Sequence, residues 1–91
     1  MNEKLNLVPV KNNIRIKPQG EQYIIFNLET SGFHAITEDS NAILERVNGE
    51  LTIGELAKLF ATERNLNLEE LENNFISFFD DLALRKIITL K

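Results

Sequence analysis

Residues 36–82 read ITEDSNAILERVNGELTIGELAKLFATERNLNLEELENNFISFFDDL, three apolar-periodic segments joined by Asn48-Gly49-Glu50-Leu51-Thr52 and Asn65-Leu66-Asn67. Each segment carries its own start signal. Thr37 caps the first, with Glu38 and Asp39 placed in the first turn, where the helix dipole favours acids. Ala42, Ile43 and Val47 of this helix are expected to point inward, and Asn48-Gly49 stops it because both residues tolerate the left-handed conformation. Thr52 with Glu55 is a capping box, and Ile53, Leu56, Ala57, Leu59 and Phe60 give the second helix a buried stripe. Asn67 with Glu70 repeats the signal for a third helix over residues 68–84.

The third helix has a wide apolar face. At 100° per residue, Leu68, Leu71, Phe75, Ile76, Phe78, Phe79, Leu82 and Ala83 fall within an arc of about 160°. One flank of such an arc can pack on the core while the other lines a groove; alternatively, the remaining elements bury the whole of it.

Ahead of the helices the periodicity changes to two. Ile14-Arg15-Ile16-Lys17 alternates as a half-exposed strand does, and residues 18–21 form a turn. Residues 22–28 are β-branched and aromatic, as in a central strand, with Ile24, Phe26 and Leu28 on one face and Tyr23 and Ile25 on the other. Residues 29–32 close a hairpin into a short third strand, Phe33-His34-Ala35-Ile36, at the sheet edge. Residues 1–12 read as a polar N-terminal extension to a domain spanning residues 13–91, and residues 87–90 as a terminal extended segment. The expected fold class is α+β and winged-helix-like, a three-stranded antiparallel sheet followed by three helices.

At 91 residues the chain is one domain by size, with 43% apolar and 26% charged residues, ordinary for a soluble protein. It has no cysteine, which excludes disulfides and thiolate metal sites. His34 is the only histidine, so no zinc site is expected. Asp80 and Asp81 diverge on a helix, and Glu69, Glu70 and Glu72 point several ways, so no carboxylate pair is set for acid–base work. Gly49 and Gly54 lack the lysine and spacing of a phosphate loop. No enzymatic activity and no cofactor are expected. There is no signal-peptide-like start and no apolar run of membrane-spanning length, so the expected location is cytoplasmic.

The net charge is −4, but residues 38–81 hold eleven acids against Arg46, Lys58 and Arg64. Such a surface repels phosphate, which argues against nucleic-acid partners. It also leads to the expectation of a partner with some basic residues.

In order and spacing, three pieces resemble the PqqD-like family of peptide-recognition domains: Ile36-Thr37 entering helix one, Ile43-Leu44 before Asn48-Gly49-Glu50-Leu51-Thr52, and Asn74-Phe75-Ile76-Ser77-Phe78-Phe79-Asp80-Asp81-Leu82. Asn48 and Asn74 stand where acids are common in that family, and Lys86 where glycine is usual. These domains, also termed RiPP recognition elements, serve the maturation of ribosomally made, post-translationally modified peptides. The resemblance implies a peptide chaperone that binds the leader segment of a precursor peptide by strand addition. Gly32, Phe33, His34, Ala35 and Ile36 would offer the edge, and Asn74, Phe75, Phe78 and Leu82 the opposing wall. It further implies a separate modifying enzyme as partner, often a radical S-adenosylmethionine maturase.

The alternatives are a winged-helix DNA-binding regulator and a structural subunit of a larger enzyme. An edge strand and a wide apolar helix also give two copies of the chain a way to pair as a homodimer.

Overall fold

The computed structural model describes residues 3–91; Met1 and Asn2 of the expected N-terminal extension lie outside the described residues. A 3-10 turn over Glu3–Asn6 leads to β1 (Pro9–Lys11), β2 (Ile14–Gln19), β3 (Gln22–Asn27) and β4 (Phe33–Ile36). There follow α1 (Glu38–Glu45), α2 (Ile53–Arg64), α3 (Leu68–Leu84) and β5 (Ile88–Leu90). β2, β3 and β4 form an antiparallel sheet in that order. The expected α+β architecture, a three-stranded antiparallel sheet followed by three helices, is the one observed.

The strands form because their alternation lets one face pack on the helices. Ile14 and Ile16 of β2 are half-buried while Arg15 and Lys17 are exposed, and on β3 Ile25 and Asn27 are buried. The core beneath joins Ile25 to Leu44, Ile53, Leu56, Phe79 and Ile87.

All three helix starts are capped as their sequences dictate. Thr37 accepts from Ser40 N–H, Thr52 and Glu55 close a reciprocal capping box, and Asn67 accepts from Glu70 N–H. The inward face of α1 differs from expectation: Asn41, Leu44 and Val47 are buried, whereas Ala42 and Ile43 are only half-buried. Two turns of helix carry too few apolar residues to fix their own rotation, and packing decides it. The helix also ends at Glu45, before Asn48-Gly49, as Val47 N–H tightens onto Leu44 C=O.

Residues 3–11 lie against the helices. β1 pairs with β5, Ile53 N–H donates to Leu7 C=O at 2.9 Å, and Lys4 pairs with Asp80 of α3 at 2.6 Å. A Cβ on Gly54 would stand 3.2 Å from the Leu5 carbonyl oxygen, so this chain crossing favours glycine there.

The end of α3 is a Schellman motif. Lys86 N–H donates to Ala83 C=O and Ile87 N–H to Leu82 C=O, with Lys86 left-handed at φ 60°. This position is the one where Lys86 replaces the family's usual glycine.

Candidate functional site: a groove beside an open strand edge

Among the described residues β4 has a strand partner on one side only. The bonds Asn27 N–H to Gly32 C=O and Leu28 N–H to Asn13 C=O fix the phase of the ladder. Antiparallel alternation then makes Ile25–His34 and Tyr23–Ile36 the hydrogen-bonded pairs. The N–H and C=O groups of Phe33 and Ala35 therefore point away from β3, toward the open edge.

The side chains of β4 alternate in turn. His34 and Ile36 share the face of buried Ile25, toward the helices, while Phe33 and Ala35 share that of Phe26 and Ile24. Phe33 is 69% exposed and packs against Phe26 in a tilted arrangement, with ring centroids 5.1 Å apart.

Beside this edge runs a groove of about 410 Å³, with Phe33, His34, Ala35 and Ile36 on the strand side and Phe78, Asp81, Leu82 and Arg85 on the α3 side. Thr37 and Ser40 from the start of α1, and Ile87, complete it. Leu82 and Ile87 are buried, and Phe78 is half-buried with its ring edge-on to Phe79.

The sequence-derived site residues thus divide. Phe33, His34, Ala35, Ile36, Phe78 and Leu82 come together around the groove. Gly32 ends the hairpin and does not line it. Phe75 turns into the core, 3% exposed and edge-on to both Phe60 and Phe79. Asn74 is exposed and likewise lies outside the groove lining. The apolar arc of α3 is shared between two duties: Phe75, Ile76, Phe79 and Leu82 bury it in the core, and Phe78 turns its flank to the groove.

Arg85 and Asp81 line the groove but were not assigned to the peptide site from the sequence. Arg85 donates from Nε to Asp81 at 3.0 Å, and its Nη1 lies 2.9 Å from His34 Nδ1, joining the strand to the end of α3. The Asp81–Arg85 pair is half-exposed, of a kind worth about 0.3–0.5 kcal/mol; its i,i+4 spacing is visible in the sequence, the histidine contact is not.

Asn27 is fully buried, and its side chain makes four hydrogen bonds. Its Oδ1 accepts from Glu29 N–H at 2.9 Å and Thr30 N–H at 3.3 Å, shaping the β3–β4 turn. Its Nδ2 donates to Lys86 C=O at 3.1 Å and Arg85 C=O at 3.4 Å. One side chain so ties the hairpin that carries β4 to the end of α3, setting both walls of the groove.

The acid excess of the helical region does not fall here. Among the described residues Asp81 is the one carboxylate lining the groove. Asp39 pairs with Arg64, Glu63 with Arg46 and Asp80 with Lys4, while Glu55, Glu69 and Glu72 flank a separate, wider depression of about 860 Å³ between the 3-10 turn, α2 and α3. That depression has no strand edge. Among the described residues no group of acids and histidine is placed to hold a metal ion, and no helix is long and apolar enough to cross a membrane.

No protein-family model matches the chain, and no curated protein does. Solved structures do. TbiB1, in complex with the TbiA(beta) leader peptide, superposes with a TM-score of 0.73 at 11% identity, over 87% of this chain and 92% of that one. The PqqD truncation of Methylobacterium extorquens PqqCD, a functional and stand-alone RiPP recognition element, superposes with a TM-score of 0.75 at 15% identity, over 90% of this chain and 88% of that one. The chain shares the fold of these two proteins, as the PqqD-like resemblance in its sequence implied.

Proposed function

We propose that this chain is a non-catalytic peptide-binding domain that takes up the leader segment of a ribosomally made precursor as an added strand on β4, beside α3. The observation that carries the proposal is the juxtaposition of an open strand edge with a half-apolar groove. Backbone groups of Phe33 and Ala35 bind any extended segment, and the groove adds selectivity through alternate side chains. That a protein of the same fold is seen with a leader peptide supports the reading.

Function in this scheme is delivery. Holding the leader raises the local concentration of the attached core peptide at a separate modifying enzyme, which gains rate without a chemical group from this domain. The partner we assign is a maturase of the radical S-adenosylmethionine class, acting in the cytoplasm.

The test is an amide-shift titration of the domain against synthetic leader segments of precursor peptides encoded beside its gene. Saturable shifts concentrated in residues 32–36 and 78–87 are expected. Shifts elsewhere, or none with any such peptide, would direct the function to another surface or to a structural role in a larger enzyme.

A further inference from the structure

At one end of the groove Arg85 and His34 stand together, bridged by one contact. Arginine only donates, so in the Arg85 Nη1 contact His34 Nδ1 is the acceptor and Nε2 is the ring nitrogen left to donate. Asp81 engages only the Nε of Arg85. Three of the five guanidinium N–H groups, and the Nε2–H of His34, make no further hydrogen bond among the described residues.

From this geometry we infer that the groove selects a leader strand bearing an acidic side chain beside Arg85 and His34, with apolar side chains at its other groove-facing positions. The inference rests on the strand-addition reading above and specifies its ligand. A carboxylate there would accept from a guanidinium already held in place, a charge-assisted contact with little ordering left to do. It reverses the expectation of a basic partner that the acidic helices alone create, because all of those acids except Asp81, which Arg85 pairs, lie outside the groove lining.

The fold also sets the spacing. Side chains of an added strand face the groove at every second residue. Phe78 of α3 lies seven residues before Arg85, the C-cap of that helix, about 10 Å along its axis. At about 3.3 Å per strand residue, the acid and its main apolar anchor therefore stand about two or four residues apart, whichever way the leader runs.

The probe is a display library of random short peptides, selected in parallel on the wild-type domain and on Arg85→Gln, Arg85→Glu and Ala35→Pro, each checked for folding by its amide spectrum. Wild type is expected to enrich Asp or Glu at an even spacing from an apolar residue. Arg85→Gln should lose the acid preference and keep the apolar one, and Arg85→Glu should enrich Lys or Arg at the same place. A selected acidic peptide should bind Arg85→Glu at least roughly tenfold more weakly than wild type, and its Glu→Lys counterpart should regain that factor. Identical charge preference on wild type and Arg85→Glu would overturn the inference while leaving leader binding intact. Undiminished enrichment on Ala35→Pro, or none on wild type, would overturn the strand-addition reading itself and the inference with it.

Discussion

The junction around Asn27 and the outer edge of β4 lie at opposite extremes of hydrogen bonding. At the junction a fully buried amide makes four hydrogen bonds, tying the β3–β4 turn to the end of α3. Along the edge, Phe33 and Ala35 present backbone groups that no strand of the three-stranded sheet pairs. The contrast shows how a small domain keeps a binding edge open: it closes the polar groups that set the walls and leaves unpaired those an incoming strand would use. An open edge is otherwise a liability for aggregation, and here it is four residues long, carrying a half-buried His34.

Substitutions can break each side of this contrast. The largest effect is expected from Phe79→Ala, which removes a side chain with no exposed surface from the core face of α3 and should cost about 3–5 kcal/mol in urea unfolding. Phe78→Ala, one residue earlier, should cost far less stability and weaken leader binding instead. Equal destabilisation by the two would mean that α3 does not divide its face between core and groove.

Asn27→Ala should cost about 2–3 kcal/mol, because it leaves the carbonyls and amides at the junction without their partner. The amide spectrum of the folded fraction should show changes at both β4 and the end of α3. Changes confined to the hairpin would show that Asn27 shapes the turn without tying the groove walls together.

Ala35→Pro removes an N–H that points to the open edge, so the domain should stay folded and lose leader affinity at least roughly tenfold. His34→Pro removes one that belongs to the ladder with β3 and should unfold β4. The pair tests the assigned phase of the strand. If Ala35→Pro unfolds the sheet and His34→Pro does not, the phase is inverted.

The smallest effect has the opposite sign. Lys86→Gly relieves the left-handed strain at the end of α3 and should raise stability by about 1 kcal/mol, measured as a higher urea midpoint. No gain would mean that the contacts of this turn, among them the Asn27 and Asn12 amides on the Lys86 carbonyl, already offset the strain.

The local features of the fold were legible in the sequence because the interactions that decide them span a few residues. Thr37, Thr52 with Glu55, and Asn67 cap helices through bonds reaching three residues along the chain. The alternation of Ile14-Arg15-Ile16-Lys17 likewise reports one-sided burial directly. The lack of cysteine is a matter of composition. What the tertiary structure decided are choices between equivalent faces and meetings across long separations. Phe75 and Phe78 belong to one apolar arc, and only the position of α2 and β4 sends the first to the core and the second to the groove. His34 meets Arg85 across 51 residues and Asn27 meets Lys86 across 59, contacts that no local periodicity encodes because they exist only once the helices have packed on the sheet.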